Sequence, residues 1–352
     1  MIQNCPLLRQ LSTRFLLSSV SVYIQKIPLK NLAIKHIQLF LYLGVTSAIL
    51  MKTPLIILII GFFSYSVRSQ NNFDTVKIRP VYVSDNLYFL KGSGGNIGVF
   101  IGKEGTLMID DQFAELSNKI NGAIKTLSPN DIRFLINTHL HGDHSGGNEN
   151  FKKMGVTIVA HDLVRERMSR QSVNKTTNEV KPPRDEEAWP MISFSEKLNV
   201  YLNQEDIELL HIDPAHTDGD VVVHFKKANV YHMGDMFVTY GYPYIDYSNG
   251  GSINGFISSL DKFLAMMDDN TKVIPGHGEL CSKADVKKFR DRLAEIRDEV
   301  AANLKKGKKA EDVTGLPIAT KYDAEWGKGF TKGKDFVFQI AENLKASMPT
   351  KK

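Results

Sequence analysis

Asn137-Thr138-His139-Leu140-His141-Gly142-Asp143-His144-Ser145-Gly146-Gly147-Asn148 places three histidines and an aspartate within six positions. The stretch follows an apolar run, Ile132 to Ile136, and runs into paired glycines. Packing gives no reason for this density, because imidazole and carboxylate are costly to bury unless paired or bound to metal. Metal ligation does account for it. Imidazole suits zinc, iron, nickel or copper, and a carboxylate adds a hard oxygen. His139 and His141 are two apart, so in an extended segment their rings point the same way. Asp143 and His144 follow the turn at Gly142 and are adjacent, so they cannot aim as such a pair. They suit a second metal beside the first.

The flanking sequence reads as α/β. Thr106 to Ile109 is a buried strand ending in Asp110-Asp111, and Leu116 to Leu127 carries apolar residues at helical spacing. Ile132 to Ile136 is the strand that delivers the histidine cluster at its carboxyl end, where open α/β sheets hold their ligands. Gly92 to Gly98 resembles a phosphate loop, but a strand follows rather than a helix, which favours a tight hairpin. Gln171 to Glu187 is a long polar loop, either a lid or an exposed insertion. Strands are expected at Lys197–Leu202, Ile207–Ile212, Val221–Val223, at Val230–Asp235, ending in Gly-Asp, and at Lys272–Gly278, closed by a turn bearing His277. Helices are expected at Ser252–Met267, with Ser252 as N-cap, and at Ala284–Leu304. A loop and a final helix are expected over the last forty residues.

Three further strand ends carry candidate ligands: His216, Asp235 and His277, each near glycine or proline. With His139, His141, Asp143 and His144 they make seven, too many for one tetrahedral zinc and enough for two metals sharing a carboxylate. From Val76 to Cys281 this set, in order and spacing, resembles the metallo-β-lactamase-fold hydrolases. The resemblance implies an αβ/βα four-layer sandwich, two zinc ions per chain and hydrolysis of a carbonyl substrate by a bridging hydroxide. It implies His139, His141 and His216 on the first zinc, Asp143, His144 and His277 on the second, and Asp235 between them. Asp143 would also orient the attacking hydroxide. Asp110 matches the acid that ends the second or third strand of the family and steadies the ligand loop. Asn249, in Asn249-Gly250-Gly251, matches a substrate loop whose asparagine helps hold the substrate carbonyl. Two positions depart from the nearest lactamases. Asp235 stands where they carry cysteine, and Val238 stands where they carry a lysine that grips the substrate carboxylate. The cage therefore fits the wider superfamily, with an amide, lactone or ester substrate, or a thioester as in glyoxalase II-like enzymes. Diiron redox relatives place glutamate where His141 stands, so the histidine pair favours zinc.

The 352-residue chain carries 44 Lys and Arg against 39 Asp and Glu. Seven of the basic residues lie before Gln70, and the region has no acid before Asp74; without those seven, 37 bases face 39 acids, a net charge of −2. Bulk charge thus gives no sign of nucleic-acid binding. Met51-Lys52, the apolar Leu55 to Phe63 and the small residues before Gln70 form a secretory signal pattern. The expected organisation is an over-extended leader over 1–50, a signal peptide over 51–69 and a hydrolase domain with a helical C-terminal extension over 70–352. The protein is then periplasmic or secreted, acting on a small molecule without an obligate protein partner. The alternative is membrane anchoring through residues 37–63, which are long enough to span a bilayer. Of the two cysteines, Cys5 lies in the leader, which leaves Cys281 unpaired.

Overall fold

Strand-length alternation sorts this chain into two sheets. The computed structural model describes residues 73–173 and 180–347. The expected leader, signal peptide and apolar segment 37–63 lie outside them. Among the described residues no helix is long and apolar enough to cross a membrane.

The first half runs through β1 (Arg79–Ser84), β2 (Leu87–Lys91), β3 (Ile97–Phe100) and β4 (Thr106–Ile109). Helix α1 (Ser117–Leu127), β5 (Ile132–Ile136), α2 (Gly142–Ser145), α3 (Asn148–Lys153), β6 (Thr157–His161) and α4 (Asp162–Met168) follow. Strands β7 (Ser172–Val173) and β8 (Val180–Lys181) pair with each other, and β9 (Ile192–Phe194) completes a seven-stranded sheet ordered β1-β2-β3-β4-β5-β6-β9. The segment read as a loop thus begins and ends in a short ribbon, and its residues 174–179 lie outside the described set. A second, six-stranded sheet comprises β10 (Lys197–Leu202), β11 (Glu205–His211), β12 (Val221–Phe225), β13 (Val230–His232), β14 (Lys272–Ile274) and β15 (Cys281–Ser282), in that order.

Period-two side-chain alternation fills three layers of core. On β12, Val221, Val223 and Phe225 face the first sheet, packing with Phe89, Leu107, Ile109 and Ile136. Val222 points the other way, toward α5 (Ile253–Met266) and α6 (Lys283–Lys305). Across the first sheet, Ile97, Val99, Met108 and Leu135 pack against Ile120 and Ile124 of α1. The result is helix, sheet, sheet, helix: the αβ/βα sandwich expected from sequence. Ser252 caps α5 through Oγ, which accepts from Gly255 N–H. Helix α5 buries Ile253, Phe256, Ile257, Leu260 and Phe263 at helical spacing.

The C-terminal extension holds more than one final helix. Short helices α7 (Ala310–Thr314) and α8 (Asp323–Trp326) precede α9 (Gly333–Ser347). They form because Val313, Ile318, Trp326, Phe336 and Ile340 bury in the same core as α5 and α6.

Parallel pairing sets the site. β4 and β5 run parallel with Ile109 opposite Ile136, so Asp110 and the 137–144 stretch leave the sheet at one end. β13 and β14 run parallel with His232 opposite Ile274, so Asp235 and His277 also emerge together. Asp110 follows β4, the fourth strand rather than the second or third, because β1–β3 form an antiparallel meander before it.

Candidate metal centre

The structure brings all seven predicted ligands together. Donor atoms of His139, His141 and His216 lie within 4.8 Å of one another, as do those of Asp143, His144 and His277 and those of His139, His144 and Asp235. Asp235 stands between the two histidine groups. Its Oδ1 is 3.1 Å from His144 Nε2 and 3.4 Å from His277 Nε2, and its Oδ2 is 3.8 Å from His216 Nε2.

Hydrogen bonds behind the rings fix which nitrogens face inward. His139 Nδ1 meets Thr138 Oγ1 at 3.0 Å, and that hydroxyl donates to Asp110 Oδ2 at 2.7 Å, so the ring nitrogen is the donor. His144 Nδ1 donates to Asp110 Oδ2 (2.7 Å), His216 Nδ1 to the Tyr244 carbonyl (2.7 Å), and His141 Nε2 to Asp246 Oδ2 (2.8 Å). Each assignment follows from what the partner can accept. As ligands, the rings turn lone pairs inward: Nε2 of His139, His144 and His216, and Nδ1 of His141. His141 Nδ1 and His216 Nε2 face each other at 2.8 Å, and His139 Nε2 is buried with no partner. Converging lone pairs repel unless a cation lies among them. A buried unpartnered nitrogen is costly in the same way. The donor set therefore fits bound metal.

For four of the ligands the electrostatics agree with that use, since ligands must be deprotonated; His144 departs, because against burial the carboxylates of Asp235, Asp143 and Asp110 hold its imidazole well above the usual value. Burial, and then its histidine neighbours, hold His139 well below the usual imidazole value. Burial and His141 bring His216 to about 4. Burial opposes ionisation of Asp143, yet His144 and a hydrogen bond from His277 hold it at about 2. Asp235 is held low against burial by His277 and His144.

Glycine allows this packing. A Cβ on Gly95 would lie 2.1 Å from the His144 ring, and one on Gly276 would lie 2.1 Å from Asp235 Oδ1. Asp110, fully buried and at φ 62°, accepts from Thr138 N, Thr138 Oγ1 and His144 Nδ1. It thereby braces both ends of the ligand stretch.

A cleft of about 400 Å³ opens beside His141 and Gly142. Asn249 lines it, but both ends of its amide are engaged: Nδ2 donates to Asp246 Oδ2 (2.7 Å) and Oδ1 accepts from Arg167 Nη1 (3.2 Å). One Nδ2 hydrogen is left for the substrate carbonyl that Asn249 is expected to hold. Asn249 steadies Asp246, which orients His141. Val238 is buried in a bridge to His277. Tyr244 lines the cleft, whereas Tyr242 is fully buried against Trp326 and Phe336. His161 turns away from the ligands to stack on His211 at 3.6 Å and cap α4.

Two residues here escaped the sequence reading. Asp246 had a signal, an acid between Tyr244 and Asn249 in a loop already singled out. Arg184 had none. From the far side of the β7–β8 ribbon its guanidinium donates to the Leu140 carbonyl (2.7 Å) and to the Ser145 carbonyl (3.0 Å) and hydroxyl (2.9 Å).

A model of the metallo-β-lactamase superfamily matches residues 90–277, more than half of the chain. The chain belongs to that superfamily. The matched span contains every ligand described above. Among curated relatives, acyl-coenzyme A thioesterase MBLAC2 of Gallus gallus is 24% identical over 214 residues, covering 54% of this chain and 74% of that protein. A probable metallo-hydrolase of Methanocaldococcus jannaschii is 25% identical over 196 residues, covering 54% and 90%. Among solved structures, the metallo-β-lactamase from Pontibacter korlensis superposes with TM-score 0.53 at 15% identity, covering 62% of this chain and 99% of that one. The DIM-1 metallo-β-lactamase gives TM-score 0.50 at 17% identity, covering 61% and 97%. These structures share the fold. The protein is thus a superfamily hydrolase whose His and Asp clusters are able to hold metal.

Proposed function

We propose that this protein is an exported dizinc hydrolase that cleaves an acyl carbonyl substrate: an ester, thioester, lactone or β-lactam-type amide. The observation that carries the reading is the placement of Asp235, one oxygen toward His144 and His277 and the other toward His216. His139, His141 and His216 would hold one zinc, Asp143, His144 and His277 the other, and Asp235 both. Zinc supplies Lewis acidity there and lowers the pKa of water to about 7. Asp143, one-third exposed, would orient the attacking water and hold its proton on the carboxylate. Asp110 and Asp246 keep the rings of His144 and His141 in the ligating tautomer. The histidine pair at 139 and 141, in place of an acid, supports zinc over iron.

Val238 leaves no cation at that point to grip a carboxylate, and a thioesterase stands among the relatives. Both support esters and thioesters ahead of β-lactams. The basic, apolar and small-residue pattern over 51–69 supports export, and the net charge of −2 after it supports a small-molecule substrate over nucleic acid.

The test is a panel on protein beginning at Gln70: nitrocefin, an acyl-homoserine lactone, S-lactoylglutathione, an acyl-coenzyme A and bis-p-nitrophenyl phosphate. Turnover of a carbonyl substrate with about two zinc per chain by mass spectrometry is expected. Turnover of the phosphodiester alone, or iron in place of zinc, refutes the reading.

A further inference from the structure

Phe330 is 78% exposed, the most exposed large apolar side chain among the described residues. Loose chain is not the reason. Trp326 and Thr331 on either side are buried, Thr331 bridges to Tyr242, and Lys332 Nζ donates to the carbonyls of Gly327 and Gly329. Gly329 and Gly241 meet so closely that a Cβ on either would crowd the opposite backbone. The segment is fixed, and it turns one phenyl ring outward.

That ring lines the cleft beside the metal centre. It meets Tyr244 edge-on at 6.2 Å between centroids, and Tyr244 in turn lies 6.1 Å from both His141 and His216. An aromatic path therefore runs from the ligands to the mouth. Leu140, Met168 and Val173 face the same space. The three arginines of the wall are already matched: Arg167 by Asp218, Arg170 by Glu166, and Arg184 by the Leu140 and Ser145 carbonyls. Beside these arginines and the polar Ser172, Lys181 and Ser248, the wall offers a ligand a continuous apolar side at Phe330, Tyr244, Leu140 and Val173. The volume suits a small organic group, in the range of ligand pockets.

We propose that Phe330 is a specificity-determining residue: with Tyr244, Leu140, Met168 and Val173 it binds the apolar acyl portion of the substrate, selecting medium-chain over short-chain acyl groups. The inference rests on the acyl-hydrolase reading above and adds the substrate's shape to it. Phe330 belongs to the C-terminal extension, beyond the residues 90–277 that the family shares.

The experiment compares p-nitrophenyl acetate, butyrate and octanoate in the zinc-loaded protein and in Phe330→Ala. Wild type should prefer octanoate to acetate by at least about tenfold in kcat/KM. Phe330→Ala should keep metal content and melting temperature while the preference falls below about threefold. A flat wild-type series, or a preference that survives in Phe330→Ala, overturns the proposal. If none of these esters is hydrolysed, the acyl-hydrolase reading is judged separately by the thioester, lactone and lactam of the panel above. The cleft is then read by calorimetry with acetohydroxamate and octanohydroxamate. Tighter octanohydroxamate binding that Phe330→Ala abolishes upholds the subsite, and equal binding of the two overturns it.

Discussion

Replacing Asp246 by Asn should weaken one metal site and spare the other. The Asp246 carboxylate accepts from His141 Nε2 (2.8 Å) and Asn249 Nδ2 (2.7 Å) on Oδ2, and from Asn249 N (3.1 Å) on Oδ1. An amide has one accepting end. Placed at Oδ2, its oxygen serves His141 and leaves an NH2 facing the Asn249 backbone N–H. Turned over, its NH2 faces His141 Nε2 and forces the ring proton onto Nδ1, the ligating nitrogen. The first arrangement is the less costly. It still converts a charge-assisted bond into a neutral one, a loss of about 1–1.5 kcal/mol, and leaves a donor unmet at up to about 1 kcal/mol more. The sum, about 2 kcal/mol, is about a thirtyfold loss of affinity, within the 10–100-fold range known for partners behind metal ligands. Titrating metal-free protein with zinc against a chromophoric chelator resolves the two binding steps. The site of His139, His141 and His216 should weaken by about thirtyfold and that of Asp143, His144 and His277 by less than about threefold. Equal weakening of both, or of neither, refutes the assignment of Asp246 to His141.

Asp143→Asn should lower kcat at least about a hundredfold, as expected for loss of a general base, with an unchanged circular dichroism spectrum; retained turnover would remove Asp143 from the mechanism. Arg184→Met should cost about 2 kcal/mol in urea denaturation and weaken zinc binding, because the half-buried Leu140 and Ser145 carbonyls lose a charge-assisted donor; a stability change under about 0.5 kcal/mol would show that Arg184 does not brace the ligand loop. Burial, with Asp285 and Glu279 nearby, pushes the Cys281 thiol up to about 12. A raised thiol pKa keeps the sulfur protonated at pH 8, so a disulfide reagent should label native protein at least about a hundredfold more slowly than unfolded protein.

The sandwich and the ligand positions were legible because each rests on local pattern. Apolar runs such as Ile132–Ile136 and Val221–Val223 announce buried strands. A histidine or aspartate beside a turn-forming glycine or proline at a strand end has few other uses. What sequence order hides is pairing at a distance. Asp246 meets His141 across 105 positions, so nothing next to either residue reports the contact. Asn249 likewise meets Arg167 across 82 positions. Phe330 is one apolar residue in a helical tail that also holds Trp326 and Phe336, and only the fold shows that those two are buried while Phe330 is not.

The same contrast separates chemistry from selectivity in this molecule. Every ligand leaves a strand end of the two central sheets: parallel pairs β4–β5 and β13–β14 place all but His216, which lies between antiparallel β11 and β12. Apart from Leu140 to Gly142 of the ligand stretch, the cleft walls come from elsewhere: α4 and the ribbon after it, the 244–249 turn, and the segment at Phe330. At the sheet itself Val238 is buried and gives a substrate nothing to hold. A change in the walls should therefore alter which acyl group is accepted without disturbing metal. A change at Asp235 cannot be so confined, since its two oxygens face both histidine groups at once. A single-sulfur ligand at that position offers one donor where the carboxylate offers two, so Asp235→Cys should keep one zinc tightly and loosen the other. Unchanged binding of two zinc ions by that variant would mean that Asp235 is not shared between the sites.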